Sequence, residues 1–137
     1  MNTLLHKVEI EIVLKPIWHQ DPPVIAVGLD KLGPKQELGK LQRFSFSTVA
    51  KDLCTLMVEF YNKTDNDTVT ELGLDKAVVI ESVSIFGIED PRFVWKGNYQ
   101  PIYPEPWASE QKQQGNALDL VLPGHNYLSW NGSWSLQ

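Results

Sequence analysis

Few residues in this chain are spaced to make or break bonds. The three histidines, His6, His19 and His125, stand far apart without metal-site spacing, and none adjoins a serine or cysteine in a nucleophile motif. The single cysteine, Cys54, opens the apolar alternation Cys54, Leu56, Val58, Phe60, a setting for a buried thiol rather than a reactive one. Glycoside hydrolysis needs two carboxylates that meet in space, and no motif nominates such a pair. The expectation is a protein that is not an enzyme.

Two other groups of side chains carry recognition chemistry. The run Asp65-Asn66-Asp67-Thr68-Val69-Thr70-Glu71, followed by Asp75, offers oxygens at alternating positions, as a hard cation prefers. Asp65, Asp67, Glu71 and Asp75 are therefore candidate calcium ligands. The run departs from an EF-hand loop, with Thr70 at the glycine position and Lys76 at the closing glutamate. A solvated acidic turn is the competing reading, because Asp and Asn are common turn formers.

The second group is aromatic. Trp95, Tyr99, Tyr103, Trp107, Tyr127, Trp130 and Trp134 crowd the C-terminal part of the chain. Aromatic faces stack on sugar rings and anchor protein interfaces, whereas a buried ring fills a core. Trp95, beside Phe93 and Val94, reads as core. Tyr103 and Trp107 stand among Pro101, Pro104 and Pro106 and read as exposed loop residues. Trp130 and Trp134 share one face if Leu128 to Leu136 is a continuous strand, and are then core; they take opposite faces if Asn131-Gly132 makes a hairpin turn. Tyr103, Trp107, Trp130 and Trp134 are the candidate ligand-binding residues.

These groups need a frame. The 137 residues suit a single domain, 1–137, and 42% apolar with 21% charged residues is a globular composition. The formal charge of −5 leaves no basic excess to neutralise phosphates, so nucleic acid is not an expected partner. No segment has a signal-peptide layout or the length of a membrane span.

The apolar pattern has the period of strands. Val8, Ile10, Ile12 and Leu14 alternate with Lys7, Glu9, Glu11 and Lys15. Further runs cover Val24 to Leu29, Lys40 to Val49 and Leu53 to Asn62. A run from Ala77 to Ile88 follows, in which Ile80 and Val83 are out of step unless the strand bulges near Glu81 or Ser82. Asp90-Pro91 reads as a turn, Phe93 to Trp95 as a short strand, and Leu118, Leu120 and Leu122 as another. A short helix fits only near Trp107 to Gln113. Eight or nine short strands without a covering helix predict an all-β, antiparallel two-sheet sandwich, jelly-roll-like.

The stretch Leu56-Met57-Val58-Glu59-Phe60-Tyr61-Asn62, its Asp-rich loop, and Asp75 to Gly87 resemble the central strand-loop-strand of the calcium-dependent, xylan-binding carbohydrate-binding modules. Asn62, Asp75 and Gly87 match that pattern; the family's acidic sugar-binding loop has no clear counterpart. The resemblance implies a jelly-roll sandwich, a calcium ion, and glycan recognition without catalysis. Pro101-Ile102-Tyr103-Pro104 and Tyr127 to Trp134 resemble small β-sandwich proteins of tailed bacteriophages, which implies a virion component working through subunit interfaces, those of a homo-oligomer included. The expected partners are thus a glycan or other protein subunits, with no membrane.

Overall fold

The computed structural model describes residues 7–49 and 54–137; His6 and the expected strand start at Leu53 lie outside them. The strands are β1 (Lys7–Ile17), β2 (Val24–Leu29), β3 (Gln36–Glu37), β4 (Gln42–Val49), β5 (Leu56–Phe60), β6 (Ala77–Ile85), β7 (Ile88–Glu89), β8 (Asn98–Pro101), β9 (Leu122–Pro123), β10 (Tyr127–Leu128) and β11 (Gly132–Leu136). Two short helices, α1 (Pro91–Trp95) and α2 (Trp107–Gln113), interrupt them. One sheet runs β10-β6-β1-β4 with β7 paired to β6; the other runs β3-β2-β5-β11-β8-β9. All pairings are antiparallel. The expected two-sheet antiparallel sandwich is the fold.

The alternation seen in the sequence becomes the core. Ile10, Ile12 and Leu14 of β1 and Val78, Ile80 and Val83 of β6 face Ile25 and Val27 of β2, Leu56, Val58 and Phe60 of β5, and Trp134 and Leu136 of β11. Ile80 and Val83 both reach it because the pairing slips between Val13 and Leu14. Val13 lies opposite Ser82 and Leu14 opposite Ile80, which leaves Glu81 as the extra, exposed residue.

Three local expectations are corrected. Phe93 to Trp95 is helical, because the Asp90 carboxylate accepts from Arg92 N at 2.9 Å and Pro91 fits the first turn; the Asp-Pro pair opens a helix. Trp95 is consequently 65% exposed and not core. The leucine alternation survives only at Leu122, and Leu120 lies in the open. No helix among the described residues is long and apolar enough to cross a membrane.

The last two strands settle the placement of Trp130 and Trp134. Leu128 pairs in one sheet and Gly132 in the other, so residues 129–131 cross between the sheets, forming neither a hairpin nor a continuous strand. Gly132 makes the crossing possible. Its φ is 149°, and a Cβ there would lie 2.4 Å from the Gln100 carbonyl oxygen. Trp134, beyond it, is fully buried, whereas Trp130 is left at the end of the sandwich.

Candidate functional site

Pro101 ends β8, and with Pro104 and Pro106 it turns the chain off the sheet into α2. The start of that helix is tied down by Glu105, whose carboxylate accepts from the Ser109 hydroxyl at 2.6 Å. This segment faces the 129–131 crossing, and between them lies a cleft of about 480 Å³. Its aromatic lining is Tyr99, Tyr103, Trp107 and Trp130, completed by Pro101, Pro104 and Leu122, with Asp65, His125 and Ser129 as its polar groups.

The rings are held in place by the backbone around them. The Tyr99 hydroxyl donates to the Trp130 carbonyl and accepts from Trp130 N at 3.0 Å, pinning the residue that carries the half-buried indole of the cleft. Burial pushes the Tyr99 phenol up to about 12. His125 stacks on Tyr99 with ring centroids 5.4 Å apart. Tyr103 and Trp107 lie 5.9 Å apart at 35°, and the Tyr103 hydroxyl donates to the Asp119 carbonyl. Trp107 is 42% exposed. Three of the four sequence-nominated aromatics, Tyr103, Trp107 and Trp130, therefore meet in one cleft. Trp134 does not; it fills the core, out of reach of any ligand.

The acidic loop adjoins this cleft. It folds as two short 3-10 turns, Asp65–Asp67 and Thr70–Leu72. Asp65 is exposed and lines the cleft, and Glu71 is exposed. Asp67 and Asp75 turn inward and meet ammonium groups. Lys76 Nζ donates to Asp21 Oδ1 at 2.8 Å, lies 3.2 Å from Asp67 Oδ1, and donates to the Asn62 carbonyl at 3.2 Å. Lys63 Nζ donates to Asp75 Oδ1 and to the Lys76 carbonyl at 2.6 Å.

The remaining oxygens are also engaged. Asp67 Oδ2 accepts from Thr64 N at 2.8 Å and Thr64 Oγ1 at 3.0 Å, and Asp75 Oδ2 accepts from the Tyr127 hydroxyl at 2.7 Å. Burial alone would raise both carboxyls. Thr64 and Lys76 around Asp67, and Lys63, Tyr127 and Thr68 around Asp75, outweigh it and hold them below 3.8. The four proposed ligands thus do not converge, and the two inward ones already have cationic partners. Among the described residues no group of three or more His, Cys, Asp or Glu is arranged to hold a metal. This donor set does not fit calcium.

Lys63 and Lys76 escaped the sequence reading. The signal for Lys76 was present: it continues the alternation of Val78 and Ile80 one step back, onto the inner face. His125, placed by the turn between β9 and β10, and Ser129, placed by the sheet crossing, carried no comparable signal, because only the tertiary fold brings them to the cleft.

No protein-family model matches the chain, and no curated protein matches it by sequence. Among solved structures it is similar to vCBM60 in complex with galactobiose, at 11% identity over 93% of this chain and 96% of that one, with a TM-score of 0.55. It is similar also to the selenomethionine form of vCBM60, a structure tied to an evolutionary link by circular permutation between two families of calcium-dependent carbohydrate-binding modules. That match has 11% identity, covers 94% of this chain and 89% of that one, and has a TM-score of 0.57. The sandwich described above is, in its fold, that of these carbohydrate-binding modules.

Proposed function

We propose that the cleft binds a neutral glycan, without breaking bonds in it. The observation that carries this reading is the convergence of Tyr103, Trp107 and Trp130 around one opening beside Asp65, His125 and Ser129. Rings supply flat apolar faces for the C–H faces of pyranoses, and a few polar groups fix the hydroxyls. The similarity in fold to a module in complex with galactobiose supports the same class of ligand. Asp65 and the overall charge of −5 favour uncharged sugars over uronic acids. Of the residues lining the cleft only Asp65 is a carboxylate, whereas glycoside hydrolysis generally uses two.

Calorimetric titration with galactobiose and a panel of soluble neutral polysaccharides tests this. Saturable binding that Trp107→Ala and Trp130→Ala weaken at least ~10-fold is expected. Absence of binding to every glycan in the panel sinks the reading.

A second reading, an assembly subunit of virion type, draws on a different surface. The turn between β6 and β7 carries Phe86 at 57% exposure, and β7 opens on Ile88 at 65%. Apolar side chains at such a tip suit burial against another subunit. Light scattering of the purified chain decides it: a stable oligomer that Phe86→Ser disperses supports assembly, and a monomer at all concentrations removes it.

A further inference from the structure

We propose that the ammonium groups of Lys63 and Lys76 take the structural place of a divalent cation in this chain, so that the loop carrying Asp65, and the cleft beside it, are set without metal. Both lysine side chains are 2% exposed, and Asp67 is 4% exposed. A carboxylate buried so deeply needs a counter-charge. In a calcium site that charge comes from the ion, gathered by carboxylates and carbonyls. Here the same kinds of oxygen gather around nitrogen: Asp21, Asp67 and the Asn62 carbonyl at Lys76, Asp75 and the Lys76 carbonyl at Lys63.

The arrangement is complete in itself. An ammonium has three donors, and Lys76 Nζ has three acceptors. Lys63 Nζ has two, and beyond them the Trp130 ring, whose centroid lies 5.9 Å away. A calcium ion bound at ~2.4 Å to Asp67 Oδ1 would lie within ~6 Å of the Lys76 ammonium and would have to share with it the buried carboxylate oxygen that now compensates the lysine. The lysines already occupy the oxygens that such a cation would need.

The clamp also reaches the cleft. Lys63 comes two residues before Asp65, and its side chain runs beneath Trp130, so the ammonium pair fixes both the acidic wall and one aromatic wall. This consequence for ligand binding rests on the glycan reading; the consequence for stability does not.

Thermal melts of the wild-type chain in chelator and in millimolar calcium test the proposal directly. Coincident melting temperatures, with no calorimetric heat from calcium alone, are expected. A rise of several degrees with calcium overturns the proposal, whatever the cleft binds. Lys76→Met, which leaves the buried Asp67 carboxylate without its cation, should lower the melting temperature by about 10 °C, and Lys63→Met, which leaves the half-buried Asp75 with neutral donors only, should lower it by less. A variant that melts with the wild type overturns the clamp. Should either variant fail to fold, the wild-type calcium comparison still decides. Where a glycan binds, its affinity should be equal in chelator and in calcium; loss in chelator overturns metal independence at the cleft, and absence of glycan binding altogether touches only the functional reading.

Discussion

The Asn131 side chain pairs with the Lys63 backbone as a neighbouring strand would: Lys63 N donates to Asn131 Oδ1 at 2.7 Å, and Asn131 Nδ2 donates to the Lys63 carbonyl at 3.1 Å. One amide thereby joins the sheet crossing under Trp130 to the loop bearing Asp65. Asn131→Ala strands both backbone groups, and should destabilise the fold by about 2 kcal/mol. Urea titration measures that loss. Asn131→Asp keeps the acceptor and loses the donor, and should fall between the two.

The tryptophans separate into two classes of variant. Trp107 lies at the mouth of the cleft, so Trp107→Ala should leave the melting temperature within a degree or two while removing ligand affinity. Trp134→Ala should do the reverse to stability, costing about 3–5 kcal/mol through the cavity it opens. Paired melts and glycan titrations on both variants check the contrast; a Trp107→Ala chain that binds like wild type would show that the cleft indole does not touch the ligand.

Gly97 lies against the Trp134 indole, where a Cβ would come within 2.3 Å of Cζ2. Gly97→Ala must displace a fully buried ring and should cost at least ~1–3 kcal/mol. The indole Nε1 has no hydrogen-bond partner among the described residues. Trp134→Phe, which discards that N–H along with part of the ring, should therefore cost less than Trp134→Ala, and denaturant melts of the three variants rank them.

Stability should depend on pH through carboxyls shifted in opposite directions. Asp67 and Asp75 are lowered from 3.8, so their contribution is whole above 3.8 and is lost as pH falls through the lowered values. Glu59, pushed up from 4.5 by burial against an opposing hydrogen bond from Ser133, behaves otherwise. Its ionised form opposes folding at neutral pH, and the penalty fades as pH drops through the raised value towards 4.5. Glu59→Gln should raise the melting temperature at neutral pH and leave it unchanged below 4.5; a lower melting temperature at neutral pH would contradict the assignment.

What the sequence displays and what it conceals follow from the range of the forces involved. The strand from Val24 to Leu29 is written in a short continuous apolar run between turn residues, and the structure keeps those bounds. The bulge at Glu81 was legible for the same reason, since two apolar residues out of step on one buried face leave a strand no other course. The helix at Pro91 was concealed because Asp-Pro serves equally as a turn and as a helix start. At the site, proline punctuation exposed Tyr103 and Trp107, but Trp130 and Trp134 parted company through Gly132 and Asn131, whose partners Gln100 and Lys63 are remote in sequence. The lysine clamp was the least visible element, because charge in a polar loop reads as solvation until the fold supplies its counter-ions.

The position of β11 governs when the molecule can be finished. It lies between β5 and β8, pairing Leu136 with Leu56 and Trp134 with both Val58 and Tyr99. During synthesis β5 and β8 both precede the segment that bridges them, and until it arrives each keeps one unpaired edge. Zipping of that sheet is thus a late event across a large loop, which favours slow maturation and a window in which nascent chains can stick to one another.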